Sequence, residues 1–241
     1  MKIFLENVDL NSNTGPNSFA QKLTKYMTKM GCEFTKDAES DIFLCFIESF
    51  RHDIAKKPTI QRMDGIYFNA SQNYEKQNSN ILRTYKNSTG IVFQSEFNKD
   101  LIFKWFGECD SYRIIHNGAD VDLIAKIPPL KGSFVEKYDT VWSCASNWRP
   151  HKRLHDNIRY FLEHSGNNDV LLVCGEVRDR PVNDSKIKYL GNLSMEKLIS
   201  VYKSSRYFLH LAWLDHCPNV VIDARASGCE VICSSTGGTK E

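Results

Sequence analysis

The sequence lacks the features that mark a membrane-spanning or nucleic-acid-binding protein. None of its apolar runs approaches the ~20 residues that a membrane helix needs, and Glu6 interrupts the short apolar start, so neither a span nor a signal peptide is predicted. The net charge over 241 residues is only +2, which is too weak to predict nucleic acid as a partner. Peripheral contact with a membrane and self-association both stay open.

The eight cysteines form no Cys-x-x-Cys pair and no cluster with histidine, so the usual zinc and thioredoxin patterns are missing. Several cysteines lie in apolar, strand-like runs, among them Cys174 and Cys233. This placement predicts free, buried thiols in a reducing compartment, and therefore a cytoplasmic protein without a metal site.

The chain also lacks a Gly-x-Gly-x-x-Gly fingerprint, which leaves a dehydrogenase or another dinucleotide enzyme with little support. It contains instead short apolar runs that alternate with helical patterns, as in α/β proteins with parallel sheets. The alternation is interrupted once, at Ile127–Gly132, where a Pro-Pro pair predicts a linker. We therefore predict two Rossmann-like domains, residues 1–126 and 127–241.

Apolar runs and helical periodicity predict elements in both halves. Strands are predicted at Lys2–Leu5, Asp41–Ile47, Pro58–Met63, Gly65–Phe68, Ile91–Gln94, Tyr112–His116, Thr140–Ala145, Asp169–Cys174, Lys186–Leu190, Arg206–Leu211 and Glu230–Cys233. Helices are predicted at Asn17–Met30, Glu96–Phe106, Met195–Tyr202 and Asn219–Ser227, with a further helix that carries Leu154, Ile158 and Leu162 on one face.

Two carboxylates, Asp215 and Asp223, stand eight residues apart on either side of a predicted helix start at Pro218. Proline suits the first turn of a helix, and the free N–H groups there attract phosphate together with the helix dipole. Two acceptors placed in this way could hold hydroxyls at two points of one ligand. A pair of ordinary surface carboxylates would have the same spacing.

Three cations, Arg149, Lys152 and Arg153, crowd the loop that follows the strand predicted at Thr140–Ala145. The carboxyl end of a parallel strand is where α/β folds bind ligands, and these cations could neutralise a diphosphate there. The alternative is a solvated basic turn.

Three weaker features complete the candidates. The Gly-Pro turn within Asn13–Ser18 could let backbone approach a ligand closely, or could be a plain loop between strand and helix. The pair Arg62 and Asp64 could line a ligand site or form a turn. His116 and His216 are acid–base candidates by residue type, although a lone histidine is more often structural.

Taken together, several segments resemble the retaining GT-B glycosyltransferases of the Glu-x7-Glu group, which includes bacterial and viral mannosyl-, glucosyl- and N-acetylglucosaminyl-transferases. They occur in the family's order over nearly the whole chain, and it is the set rather than any one segment that carries the resemblance. The matching segments are Gln94–Phe97, Ile114–Asp120, Tyr189–Asn192, Asp215–Asp223 with Ala224, Ala226, Gly228 and Val231, and Gly237–Glu241.

The resemblance implies an α/β fold of GT-B type, with two Rossmann-like domains facing a cleft and a second domain that is incomplete relative to the family. It implies a nucleotide-diphosphate sugar as co-substrate, with no metal and no other cofactor. By position, Arg149 and Lys152 would bind the diphosphate, Asp215 would contact the transferred sugar as a catalytic residue, and Asp223 would contact the ribose. The remaining donor contacts would come from Gly15, Asn192, Leu193, Pro218, Asn219 and Val220, and the acceptor side would contain Arg62 and Asp64.

Some residues depart from the family pattern. Both signature glutamates are aspartate, one methylene shorter, and the family's arginine stands slightly earlier relative to the lysine than Arg149 does. The sequence also stops at Glu241, where the last motif closes. We predict a metal-independent retaining hexosyltransferase, with a non-catalytic module that binds a nucleotide sugar or a glycan as the alternative. The acceptor could be a glycan, a lipid, a protein or a small molecule.

Overall fold

The computed structural model describes residues 1–12, 15–68, 71–178 and 180–241. The chain divides into two compact units, Met1–Asn117 together with Glu241, and Gly118–Lys240. The dividing point lies earlier than the linker at Ile127–Gly132, so the short helix Val121–Lys126 is grouped with the second unit.

The first unit contains a parallel six-stranded sheet. Its strands are β1 (Lys2–Glu6), β2 (Glu33–Phe34), β3 (Ile42–Phe46), β4 (Thr59–Met63), β5 (Gly90–Phe93) and β6 (Tyr112–Ile114). The order across the sheet is β2-β1-β3-β4-β5-β6. Its helices are α1 (Gly15–Lys29), α2 (Tyr74–Asn87) and α3 (Glu96–Phe106).

The second unit contains a parallel five-stranded sheet in the order β11-β10-β7-β8-β9. Its strands are β7 (Thr140–Ala145), β8 (Asp169–Cys174), β9 (Ile187–Gly191), β10 (Tyr207–His210) and β11 (Glu230–Cys233). Its helices are α4 (Val121–Lys126), α5 (Ser133–Glu136), α6 (Leu154–His164), α7 (Met195–Ser204) and α8 (Asn219–Ala226).

The central strands of the second unit are apolar on both faces because helices cover both sides of the sheet. Along β7, Val141 and Ala145 join a core that includes residues of α7 and α8, whereas Trp142 and Cys144 join a second core with α6. Each residue of β8 is buried. Strands buried on both faces read as continuous apolar runs rather than as alternating ones, and this explains why the sequence marks them so clearly.

The first unit is also packed on both faces of its sheet. One core contains Met63, Ile81 and Phe93, and a smaller one contains Phe19 and Phe46. Within the described residues no helix is both long enough and apolar enough to cross a membrane. All eight cysteines are free thiols, as predicted, but only five are buried: Cys32, Cys109 and Cys233 are half-buried.

Most predicted elements are confirmed within a residue or two, three predictions need correction, and four elements (β2, α2, α4 and α5) were not predicted. No strand forms at Gly65–Phe68, where the chain runs as a loop. Helix α1 begins at Gly15, so the predicted Gly-Pro turn is its first helical turn. Leu162 is 37% exposed, and Phe161 takes its place on the buried face of α6. Helix α2 was not predicted, because polar Asn78 and Thr84 lie on its buried face and hide the apolar period.

Candidate active site

The second sheet has a topological switch point between its neighbouring strands β7 and β10. From β7 the chain proceeds outward through β8 and β9, and from β10 it proceeds through β11 in the opposite direction. The loops that leave the two strands at their carboxyl ends therefore diverge, which opens a crevice where doubly wound sheets bind ligands. Both sequence motifs of this unit, residues 146–153 and 211–218, follow these two strands.

Lys152 and Asp215 meet at this switch point. The ammonium of Lys152 forms a salt bridge with Oδ2 of Asp215, and the two side chains are only 18% and 15% exposed. Nε2 of His210, at the end of β10, lies 2.9 Å from the same oxygen, and His210 is 3% exposed. Asp215 is therefore not an ordinary surface carboxylate, and Lys152 is not part of a solvated turn.

The protonation states of Asp215 and His216 depend on their burial and on the charges near them. Burial by itself would raise the pKa of Asp215, but the hydrogen bond with His210 and the positive charge of Lys152 outweigh it and lower that pKa below its ordinary range. Burial lowers the pKa of His216 to about 4, against the opposing effect of Asp215. At neutral pH the carboxylate is thus ionised and His216 is uncharged.

Arg149 stands at the start of the same loop, immediately before a 3-10 turn, Pro150–Lys152. Its side chain is exposed, and it forms no salt bridge within the described part of the chain. Arg153, the third predicted cation, has a left-handed backbone (φ 54°) and donates from Nε to Asp156 at 2.7 Å. Among the described residues, the loop therefore presents one cation without a salt bridge, Arg149, beside two paired cations, Lys152 and Arg153.

The start of α8 differs in detail from the prediction. Pro218 is the N-cap residue and not the first helical residue, and its carbonyl accepts the N–H groups of Val221 (3.1 Å) and Ile222 (3.4 Å). The N–H of Val220 has no acceptor among the described residues. Asp223 lies inside this helix on its buried face, at 4% exposure, so it is not a surface carboxylate either.

The chain segments that follow β8 and β9 are hydrogen-bonded to each other at the carboxyl ends of these two strands. Gly175 N–H donates to the carbonyl of Gly191 at 2.7 Å, and Oδ1 of Asn192 accepts the N–H of Glu176 at 3.1 Å. Leu193 packs against the core below. Asn192 itself is exposed, so it can reach a ligand at this edge.

The loop after β11 contacts the backbone of Asp215. Gly238 N–H donates to the carbonyl of Asp215 at 2.8 Å. Gly237 has φ +82°, and a Cβ atom there would lie 2.7 Å from the same carbonyl oxygen. Only glycine allows this approach, because the backbone is in the left-handed region and no space exists for a side chain.

No protein-family model and no curated protein matches this chain. Among solved structures, it is similar to sucrose-phosphate synthase from Thermosynechococcus elongatus, at 12% identity and a TM-score of 0.77 over 98% of this chain and 82% of that one. It is similar to Anabaena HepE in complex with UDP and glucose, at 13% identity and a TM-score of 0.69 over 100% and 82%. WaaG, a glycosyltransferase of lipopolysaccharide biosynthesis, matches at 10% identity and a TM-score of 0.69 over 99% and 82%.

The chain has a GT-B fold. This confirms the predicted fold class. At identities of 10–13%, these similarities are evidence for the fold and not for a shared activity. In the second GT-B unit, Arg149, Lys152, Asn192, Leu193 and Asp215 lie in loops that follow strands, whereas Asn219, Val220 and Asp223 lie in α8.

In the first GT-B unit, Arg62 and Asp64 belong to a buried polar network. Arg62 pairs with Asp64, and it donates to Oδ1 of Asn117 at 2.6 Å. Gln94 donates to Asp64 and accepts from Nδ2 of Asn117 at 3.2 Å. The guanidinium also lies 3.9 Å from the ring centre of Phe19. The pair is thus neither an exposed turn nor an exposed ligand contact: the side chains are 4% and 11% exposed.

Two further predicted residues of the first unit have simpler positions. Gly15 is exposed at the start of α1, with no atom within 4 Å of a Cβ built there. Asn13 and Thr14, which belong to the predicted loop Asn13–Ser18, lie outside the described residues. No group of three His, Cys, Asp or Glu side chains in the described ranges is arranged to hold a metal ion.

Sequence reasoning missed two residues of the site, His210 and Asn157. Both are polar side chains in otherwise apolar contexts: His210 ends a buried strand, and Asn157 lies on the buried face of α6 at 1% exposure. A buried polar residue generally requires a hydrogen-bond partner, and this signal could have identified both as members of a network.

Proposed function

We propose that this protein is a glycosyltransferase that transfers a sugar from a nucleotide-diphosphate sugar to an acceptor hydroxyl. The supporting observation is the pairing of Lys152 with Asp215 at the switch point of the second sheet, beside the N-terminus of α8. Similar structures include complexes of HepE with UDP and with UDP-glucose. The crevice at the switch point of this chain has cations and a helix N-terminus, the groups that a diphosphate requires.

The strand order suggests how a donor would lie along the sheet edge. Strands β9, β8, β7 and β10 are neighbours, and adjacent strands are ~4.8 Å apart, so the loops after β9 and β10 are separated by roughly 14 Å. We place the base beside Asn192 and Leu193 and the diphosphate at Lys152. The sugar then lies beside Asp215, at the other end of the row.

The diphosphate contacts are shared between the two loops of the switch point. Arg149 offers a guanidinium without a salt bridge among the described residues, and the start of α8 at Pro218, Asn219 and Val220 offers the N–H of Val220 and the positive end of a helix dipole. A ribose contact for Asp223 rests on the family resemblance alone, because this residue lies on the buried face of the helix.

The proposed chemistry follows from these charges. As the bond between the sugar and the diphosphate breaks, negative charge grows on the leaving group, and Lys152 and Arg149 stabilise it more than they stabilise the ground state. Positive charge grows on the sugar ring, near the Asp215 carboxylate. We propose that the acceptor oxygen attacks from the face that the diphosphate leaves, which retains the anomeric configuration, while the proton of the acceptor hydroxyl passes to the departing diphosphate oxygen. We also propose that the two cations replace a metal ion.

The first experiment is calorimetric titration of the protein with UDP, GDP, ADP and their common sugars. One nucleotide should bind, and Lys152→Met should weaken its binding at least tenfold because a charge-assisted contact to phosphate is lost. Lys197→Met is the matched control, since Lys197 is exposed on α7 and outside the site. Equal binding by the wild type and Lys152→Met would contradict the assignment. Retention is tested separately by NMR of the anomeric proton in the product.

A non-catalytic module that binds a nucleotide sugar is the second candidate. The observation that favours it is the engagement of Asp215: Oδ2 is held by Lys152 and His210, and Oδ1 accepts the N–H of His216 at 3.2 Å. Fewer lone pairs are then free for a sugar. Tight binding of a nucleotide sugar with no transfer to any acceptor and no donor hydrolysis would favour this second candidate.

A further inference from the structure

One buried amide connects the two loops of the candidate site. Asn157 lies on α6, 1% exposed, and its Nδ2 donates to the carbonyls of Arg153 (2.7 Å) and Lys152 (3.3 Å). Its Oδ1 accepts the N–H of Leu211 at 3.1 Å. Lys152 and Arg153 belong to the loop after β7, whereas Leu211 is the first residue after β10.

The same two loops are joined by further hydrogen bonds. Trp213 N–H donates to the carbonyl of His151 at 2.8 Å, and the guanidinium of Arg153 donates to the carbonyl of Leu211 at 3.3 Å. Asn157 differs from these bonds because its one side chain, on α6, contacts both loops with two N–H donors and one acceptor. An amide is the neutral side chain that supplies both donors and an acceptor in this geometry.

We propose that Asn157 is a positioning residue of the donor site: it holds the Lys152 loop against the Asp215 loop, so that the Lys152 ammonium is fixed in place before the diphosphate binds. This inference rests on the proposed function of the site. Fixing a charged group in advance increases its effect on a ligand, because the loops do not have to be ordered during binding.

The test is a double-mutant cycle with Asn157→Asp and Lys152→Met, read by calorimetric titration with the nucleoside diphosphate that the wild type binds. Asp keeps the acceptor for Leu211 but loses both amide donors. We expect Asn157→Asp to weaken binding at least tenfold while the stoichiometry stays near one, because the folded molecules are intact but their loop is displaced. In the Lys152→Met background the same change should weaken binding less than twofold, since Asn157 acts through Lys152.

Hydrogen exchange provides a second readout that does not depend on a ligand. The amide of Trp213, which donates to the carbonyl of His151 in the Lys152 loop, should exchange faster in Asn157→Asp, while those of β8 remain protected. Asn168→Ser is the control, because Nδ2 of Asn168 also donates to a backbone carbonyl, that of Lys137 at 3.0 Å, but before β8 at the opposite edge of the sheet. It should change neither the affinity nor the exchange of Trp213.

Each outcome has a distinct meaning. Unchanged affinity in Asn157→Asp, or equal losses in the two backgrounds of the cycle, would overturn the proposal. If Asn157→Asp does not fold, Asn157→Ser, which keeps one donor and one acceptor, takes its place in the same cycle. If the wild type binds no nucleotide, the proposed function fails, and the exchange of the Trp213 amide still decides whether Asn157 holds the loops together.

Discussion

Nε2 of His210 lies 2.9 Å from Oδ2 of Asp215, the same carboxylate oxygen that pairs with Lys152. A buried carboxylate with a single partner would be costly, and two partners on one oxygen keep it ionised at neutral pH. The cluster therefore combines an anion and a cation whose relative position is set by the end of β10 and by the loop after β7.

Neutralising the carboxylate should disable the site without unfolding the protein. Asp215→Asn keeps the size of the side chain but removes the charge opposite Lys152 and next to the proposed sugar. We expect transfer to fall by roughly 100-fold or more, a loss typical of removing one preorganised electrostatic contact. Steady-state kinetics with the donor identified by titration measures this, and circular dichroism checks the fold.

A longer carboxylate at this position should not fit the same geometry. In Asp215→Glu the extra methylene has to fit a side chain that is only 15% exposed and held between His210 and Lys152. We expect a loss of stability of about 1–3 kcal/mol from overpacking. Chemical denaturation measures it, and a variant as stable and as active as the wild type would show that the site has room for glutamate.

A methyl group at Gly237 should displace Asp215. Gly237→Ala places a Cβ atom 2.7 Å from the Asp215 carbonyl oxygen at φ +82°, whereas Gly31→Ala meets no atom within 4 Å at a similar φ of +85°. Both variants carry the strain of a positive φ, about 1 kcal/mol or more. The additional loss of stability and of nucleotide affinity in Gly237→Ala, relative to Gly31→Ala, measures the cost of the contact with the Asp215 carbonyl oxygen. Equal losses in the two variants would mean that the loop after β11 moves aside.

Stability should fall as the pH is lowered from about 6.5 towards 4, because His216 resists protonation in the folded protein. Burial lowers the pKa of His216 to about 4, whereas an unfolded histidine has a pKa near 6.5. Between these values the unfolded state binds more protons, so acid favours unfolding, by up to roughly 3 kcal/mol across the window. Denaturation midpoints at several pH values, with His216→Asn as the comparison, isolate this contribution.

Asp215 should add a second loss of stability at lower pH. Its pKa is lower in the folded protein than in the unfolded chain, so its contribution is complete above about pH 4 and disappears as the pH falls further. In Asp215→Asn the decline below pH 4 should be shallower than in the wild type, while the decline between pH 6.5 and 4 persists. If the stability of Asp215→Asn declined below pH 4 as steeply as that of the wild type, Asp215 would not be the cause of this loss.

In the first unit, removing Arg62 should destabilise the fold. Arg62→Met leaves Asp64 as a buried carboxylate without its cation, and breaking such a pair generally costs about 3–5 kcal/mol. Arg113→Met is the control, because Arg113 is exposed on β6 and surface changes of this kind stay within about 0.5 kcal/mol. If Arg62→Met keeps its stability but loses only acceptor affinity, the acceptor role predicted for Arg62 and Asp64 is favoured instead.

Local sequence signals predicted the sheets better than the helices. Strands β7, β8 and β11 have the predicted bounds, because buried parallel strands are continuous apolar runs flanked by polar loops. Helix α2 could not be predicted in the same way. Its buried face includes Asn78, whose side chain exchanges hydrogen bonds with the backbone of Tyr67 at 2.9 and 2.6 Å. A polar residue satisfied by a distant loop has no apolar signature in the sequence.

The sequence by itself determined the class of the fold, the two α/β halves and the loops in which Lys152 and Asp215 lie, because these depend on periodicity and on motif order. Only the tertiary structure decided that the two side chains form an ion pair, that His210 shares it, and that Asn157 joins their loops. The strand order β10-β7 makes neighbours of residues 63 positions apart in the chain. Such a contact is set by the pairing of whole strands, and no local pattern of residues records it.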